Sequence, residues 1–281
     1  MLRIGWFSTG GGEGSRGLLR LAQESIGLGQ LDARIEFVFS NREPGEAEGS
    51  DQFFKLVQGY RLPLVTLSST KFRRVRGGGP FARHREEYDR QVMGLLREYQ
   101  PGIGVLAGYM LIVGSELCHR YPLLNLHPAL PDGPVGTWRE VIWQLIEQKA
   151  SLTGAMVHLA TQEVDRGPVV AYCTVPITGE PFHRHWQALA RQDLAQVKDS
   201  QGEQLPLFQQ IRQAEYRREP YLLVETLRAV AAGHIAIRNG EVLYRGNRPA
   251  APVSANGLCL DEEIARAMAQ GEGLGGDLAG Y

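Results

Sequence analysis

Asn125 and His127 stand two residues apart at the end of the apolar run LLNLH, and Pro128 and Pro131 follow at once. At strand spacing, side chains i and i+2 point to the same face. The prolines end strand pairing and stiffen the exit. A carboxamide offers N–H donors and an imidazole can act as general acid, a pair suited to a developing oxyanion. Taken alone, the pair also fits a capping Asn beside a surface His. The stretch TQEVDRGPVV supplies a third group, Asp165, in a loop just before another apolar run. A carboxylate there could orient His127 or hold its proton, and at about 4–6 Å it would raise the pKa of the imidazole. His158 lies inside a strand pattern and reads as a packed core histidine.

A second candidate site lies near the N-terminus. In STGGGEGSRGLL, Gly12, Gly14 and Gly17 satisfy G-x-G-x-x-G after a strand and at the start of a helix. The next strand ends in Asn41 and Arg42, where a dinucleotide site would carry an acid for the ribose hydroxyls. What survives is an anion site, since glycines let backbone N–H groups approach a phosphate at a helix N-terminus. A plain strand-to-helix turn is the alternative. The segment KFRRVRGGGPFARHREEYD adds Lys71, Arg73, Arg74, Arg76, Arg83 and Arg85 around a lid-like Gly77–Gly79. A phosphorylated substrate is the corresponding expectation.

The elements that must position these groups alternate along the chain. Leu2–Phe7, Ile35–Ser40, Leu62–Leu67, Ile103–Leu106 and Leu123–Leu126 read as strands, several of them continuously apolar, as in a parallel sheet covered on both faces. Gly17–Ser25, Arg83–Tyr99 and Thr137–Lys149 read as helices; Thr137 and Glu140 have capping-box spacing. Strands Gly154–Ala160 and Val169–Val175 follow, then helical stretches at 183–197, 204–217 and 220–232, and an Asn-Gly hairpin in IAIRNGEVLYRG. The expected architecture is α/β: an open, mostly parallel twisted sheet of about seven strands with helices on both faces and a C-terminal helical or hairpin extension. The organisation expected is one α/β domain over residues 1–246, with an insertion near 183–207, and a partly mobile tail over 247–281.

The 281 residues suffice for one large α/β domain or two small ones, and a formal net charge of −1 favours neither bulk nucleic-acid binding nor membrane attraction. Three separated cysteines, Cys118, Cys173 and Cys259, argue against a disulfide framework or zinc site, so no metal is expected. No segment approaches the roughly 18 apolar residues of a membrane span. The N-terminus lacks an apolar leader, and a cytoplasmic location is the expectation.

VLAGYM, LLNLHPALP, TGAMVHLATQEVDRGPVV and REPYLLVETLRAVAAG, in this order, resemble the folate-dependent formyltransferases, and within them the phosphoribosylglycinamide branch. The resemblance covers roughly residues 1–180 and 215–245. It implies a Rossmann-like fold and formyl transfer from 10-formyltetrahydrofolate to the amine of a small phosphorylated acceptor, 5-phosphoribosylglycinamide first, as in purine biosynthesis. It places the catalytic Asn, His and Asp on Asn125, His127 and Asp165, with Asp165 keeping His127 charged. The phosphate loop falls on Gly11, Gly12, Glu13, Gly14 and Ser15, a further phosphate contact on Arg85, and the ribose contact on Glu219. The folate would lie along Gly108, Tyr109, Met110, Leu111, Ile112 and Val113 and against Thr161, Val164 and Asp165. The partners implied are the amine and the folate, with no metal, nucleic acid or membrane, in a monomer or homodimer.

The sequence also departs from the family. The loop HPALPDGPVG is shorter and carries Asp132. GYMLIV places Leu111 where an arginine would face the glutamate tail of the folate, with Arg139 or another cation as the alternative, and the 183–207 stretch is extra. Other acceptors, such as an amino-sugar nucleotide, therefore stay open. A formyltetrahydrofolate hydrolase would use the same three groups with water as acceptor. Its usual regulatory domain would precede the first strand, which here starts at Leu2. A non-catalytic nucleotide-binding module would need the glycine loop but no convergent polar groups.

Overall fold

The continuous apolar runs become the centre of a sheet. The computed structural model describes residues 1–245, 253–254 and 257–271. In chain order the elements are β1 (Leu2–Phe7), α1 (Glu13–Gly27), β2 (Ala33–Ser40), α2 (Glu48–Gly59), β3 (Leu64–Thr66), α3 (Ser69–Val75), α4 (Arg85–Leu95), β4 (Ile103–Leu106), α5 (Ser115–Arg120) and β5 (Leu123–His127). They continue as α6 (Trp138–Glu147), β6 (Leu152–Leu159), β7 (Val169–Pro176), α7 (His183–Leu189), α8 (Leu194–Gln201), α9 (Pro206–Ala231), β8 (Ile235–Arg238), β9 (Glu241–Tyr244), β10 (Val253–Ser254), β11 (Gly257–Cys259) and α10 (Asp261–Gly271).

Among the described residues nine strands form one sheet in the order β10-β11-β7-β6-β5-β4-β1-β2-β3. The run from β5 to β3 is parallel, whereas β6 is antiparallel to both β5 and β7. The chain leaves β1 toward β2 and β3, then returns to lay β4 on the other side of β1. That reversal opens a crevice beyond the carboxyl ends of β1 and β4, the usual ligand position in such sheets.

Two apolar layers cover the sheet. One includes Leu19, Phe53, Leu222, Leu223 and Leu227 from α1, α2 and α9; the other includes Phe72, Tyr88, Val92 and Leu117 from α3, α4 and α5. A third cluster joins Ile142 and Ile146 of α6 to Leu189, Val197, Phe208 and Ile211, so the stretch 183–207 folds as α7 and α8 with an apolar core of its own.

Three expectations are corrected. The sheet has nine strands rather than about seven. Part of the stretch expected as a tail completes it: β11 pairs with β7, and Leu258, Leu260 and Ile264 are buried in the main core. The mobility expected of the final residues concerns positions that, beyond Gly271, lie outside the described residues. The two helices expected either side of Pro220 are one, α9. A proline removes a backbone donor, but Leu207, Phe208 and Ile211 before it and Leu222, Leu223 and Leu227 after it bury the helix on both sides. At β8–β9 the Asn-Gly turn has positive φ at both Asn239 (51°) and Gly240 (77°), the hairpin geometry its sequence signals.

Candidate active site

Asn125 and His127 lie at the carboxyl end of β5, and the alternation of the strand turns both toward Asp165. Asn125 Nδ2 donates to Asp165 Oδ1 at 3.3 Å, and His127 Nδ1 lies 3.4 Å from Asp165 Oδ2. Asp165 has left-handed backbone, φ 55°, in the loop between β6 and β7. Two residues on, Gly167 packs against β6 so closely that a Cβ there would come within 1.7 Å of the Leu159 carbonyl oxygen. The loop is thereby pinned over the end of β5.

A fourth group joins these three. Register places His158 of β6 directly opposite Asn125, the closest cross-strand relation a sheet offers. His158 Nε2 is 3.1 Å from Asn125 Nδ2 and 3.5 Å from Asp165 Oδ1. The residue is buried, as expected, but it belongs to the polar cluster rather than to apolar packing. Strand patterning alone could not identify it, because the β5–β6 register is a tertiary property.

The expectation that Asp165 keeps His127 charged is corrected. Burial lowers the pKa of His127 below its ordinary value and outweighs the opposing effects of Asp165 and the Pro134 carbonyl. Both flanking atoms of the ring are acceptors, however: Nε2 lies 3.2 Å from the Pro134 oxygen and Nδ1 faces the carboxylate. A neutral imidazole donates to one of them, an imidazolium to both. Burial also acts against ionisation of Asp165, but the imidazoles of His158 and His127 beside it prevail and hold the carboxyl below its usual range.

The glycine loop sits beside this cluster across the β1–β4 crevice. Helix α1 begins at Glu13 with Gly12 as N-cap and no side-chain cap, so its first-turn N–H groups are available to an anion. The Glu13 carboxylate turns back along the helix to Arg16 and Arg20. Arg42 Nη1 would lie 4.0 Å from a Cβ on Gly11, a cation beside the loop that sequence reading did not assign to it. Of the expected basic run, Lys71 pairs with Glu43 and Arg76 with Glu87, while Arg73 donates to the Gly79 carbonyl. Arg85 opens α4 with a buried Nε that has no hydrogen-bond partner among the described residues.

Thr9 ties the glycine loop to the segment after β4. Its N–H donates to the Gly108 carbonyl, its Oγ1 accepts from Met110 N at 2.9 Å, and Oγ1–H donates to Asn41. Gly108 has φ 67°, and a Cβ there would meet Ser15 Oγ at 2.5 Å, which leaves room only for glycine. Asp89 Oδ2 accepts from Gly114 N at 2.5 Å and anchors the far end; burial raises its pKa to about 6. Within 108–113, Tyr109 and Val113 turn into the core, Leu111 packs against it, and Met110 and Ile112 are exposed. Val164 and Val135 are exposed as well. Large apolar side chains of this kind on the lips of a crevice suit a flat aromatic ligand. Arg139 is engaged by Glu203 and lies over Trp138.

On the other side, a cavity of about 760 Å³ lies between the start of α1, Trp138 of α6, Arg184 and His185 of α7, and the first half of α9. Arg212 stands in its wall between the rings of Trp138 (4.9 Å) and Tyr216 (4.8 Å), paired at 2.5 Å with Glu219. The charge of Glu219 acts to raise the pKa of His127, the smallest of the effects on that imidazole. One turn earlier, Glu215 is fully buried and accepts from Thr153 Oγ1 at 2.7 Å; its Oε2 has no hydrogen-bond partner among the described residues. Burial pushes its pKa to about 8. Glu215 was not singled out from sequence, where it is one of several charges in AEYRREP. Among the described residues no helix is long and apolar enough to cross a membrane, and no cluster of three His, Cys, Asp or Glu side chains could hold a metal ion.

Residues 14–188 match the family described as formyl transferase. Phosphoribosylglycinamide formyltransferase of Saccharomyces cerevisiae is 36% identical over 107 residues, 35% of this chain and 50% of that protein. Formyltetrahydrofolate deformylase of Haemophilus influenzae is 26% identical over 144 residues, 50% of this chain and 44% of that protein. The chain thus matches half or less of the length of these relatives. A solved phosphoribosylglycinamide formyltransferase from Coxiella burnetii superposes with TM-score 0.64 at 21% identity, over 92% of this chain and 98% of that one, and shares the fold.

Proposed function

Because the chain belongs to the formyl transferase family, we propose that it transfers a formyl group from 10-formyltetrahydrofolate to the amine of a small phosphorylated acceptor, with 5-phosphoribosylglycinamide as the first candidate. The observation that carries this reading is the convergence of Asn125, His127 and Asp165 at the end of β5, between an exposed apolar rim and a glycine-started helix. The rim of Met110, Ile112, Val135 and Val164 suits the pterin of the donor. The N-terminus of α1, with Arg42 and Arg85, suits the acceptor phosphate, and Glu219 the ribose hydroxyls.

The chemistry follows from these groups. The acceptor amine attacks the formyl carbon, a C–N bond forms, and the carbonyl oxygen becomes an oxyanion. Asn125 offers an N–H to it. His127, its pKa lowered by burial, lies between two acceptors and can take the proton released by the attacking amine as the oxyanion adds a second negative charge beside it, then pass that proton on. The amine proton passes to the folate nitrogen as the old C–N bond breaks, and Asp165 carries the compensating negative charge throughout.

The longer match to the deformylase supports a second reading, hydrolysis of the same donor. The cavity beside the glycine loop favours an amine over water as acceptor. The test is a formyl-transfer assay with 10-formyltetrahydrofolate and a panel of phosphorylated amines. Tetrahydrofolate release that requires an amine supports transfer; release of formate at the same rate without any amine supports hydrolysis and overturns the first reading.

A further inference from the structure

We propose that His158 is a positioning residue that fixes Asn125 as a hydrogen-bond donor toward the reacting carbonyl oxygen; this rests on the formyl-transfer reading of the site. The link starts in the backbone. His158 Nδ1 lies 2.9 Å from the Leu159 carbonyl oxygen, which can only accept, so Nδ1 carries the proton. In the neutral ring Nε2 then presents a lone pair, and it faces Asn125 Nδ2 at 3.1 Å.

This decides which way the amide points. With nitrogen inward, Asn125 satisfies the lone pair of His158 and directs its second N–H at Asp165 Oδ1, at the longer distance of 3.3 Å. Turned over, its carbonyl oxygen would oppose both the lone pair and the carboxylate. The orientation also sets the sign of the interaction with substrate. An amide presented by nitrogen attracts a developing oxyanion, and one presented by oxygen repels it. The N–H shared with Asp165 is the one free to transfer to the oxyanion, while the N–H on His158 holds the amide in place. Neither histidine needs to touch substrate for this link, and the β5–β6 register makes it possible by setting the two residues opposite each other.

Two substitutions separate positioning from packing. His158→Phe keeps a planar ring but offers no acceptor; His158→Gln offers an acceptor oxygen. The expected result is a fall in kcat of about tenfold to a hundredfold in His158→Phe, with acceptor KM changed by less than about twofold, and recovery of most of the loss in His158→Gln. Wild-type kcat in His158→Phe, or equal losses in both variants, overturns the proposal. A second measurement needs neither turnover nor a variant that folds. Nitrogen-15 NMR of the wild-type imidazoles should show His158 protonated at Nδ1 and unprotonated at Nε2 at neutral pH. The opposite tautomer overturns the link. Inactivity of the wild type toward every amine would instead remove the formyl-transfer reading and leave the tautomer result to decide the Asn125–His158 link alone.

Discussion

At the scale of single residues, burial and hydrogen bonding pull the ionisable groups in different directions. At His127 dehydration outweighs the nearby carboxylate and lowers the pKa. Replacing His127 or Asn125 by Ala should leave the fold intact, since both stand at a strand end, and should lower kcat on the order of 10²–10³-fold, roughly 2.7–4 kcal/mol for a lost oxyanion donor. Steady-state kinetics with the preferred acceptor checks this, and wild-type rates in either variant would remove the pair from the mechanism. Glu215 gives a second prediction. Its pKa is raised from 4.5 to about 8, so the fold favours the protonated acid. Its contribution to stability is fully present below about pH 4.5 and is lost as pH rises through about 8. Glu215→Gln mimics the neutral acid and escapes that loss. Relative to wild type the variant should gain on the order of a few kcal/mol between about pH 5 and pH 9, read from denaturant unfolding at each pH. A pH-independent difference would show that Glu215 is ionised in the fold.

At the scale of elements, the site depends on loop ends clamped by neighbours rather than on any one helix. Thr9 holds the segment after β4 against the glycine loop, Ser15 lies close against Gly108, and Asp89 holds the far end. The proposed anion site has its own prediction. Arg85 opens α4, and among the described residues its buried Nε has no hydrogen-bond partner. If it holds the acceptor phosphate in ground and transition states alike, Arg85→Ala should raise KM for a phosphorylated acceptor and leave kcat nearly unchanged. An unphosphorylated analogue should be little affected. Equal losses with both acceptors would place Arg85 away from the phosphate.

At the scale of the whole molecule, the C-terminal elements are structural. Leu258, Leu260 and Ile264 are almost fully buried in the main core, and Asp261 accepts from both the N–H (2.7 Å) and the hydroxyl (2.5 Å) of Thr174 on β7. Leu260→Ala should cost about 2–5 kcal/mol through lost burial and the cavity left behind, read as a shift in denaturant midpoint. The burial of the three aliphatic side chains alone, before any cavity is counted, is worth roughly 1.5–3 kcal/mol apiece, comparable in sum with the 5–15 kcal/mol that typically holds a domain together. A chain ending at residue 246 should therefore fail to fold cooperatively. Normal unfolding of that truncated chain would show that β11 and α10 contribute little.

Sequence by itself determined the local layer. Continuous apolar runs marked β1, β4 and β5, the Thr137–Glu140 spacing marked the start of α6, where both halves of the capping box form, and Asn239-Gly240 marked the hairpin. These features are legible because their energetics lie within a few neighbouring residues. The alternation of β5 likewise placed Asn125 and His127 on one side. Tertiary structure decided what depends on strand order, register and dehydration. It brought His158 opposite Asn125, carried α9 through Pro220, turned part of a presumed tail into sheet, and lowered the pKa of His127 even beside an acid. Each of these turns on which distant segment lies within a few ångströms and how much water it displaces, and the order of residues along the chain does not encode either locally.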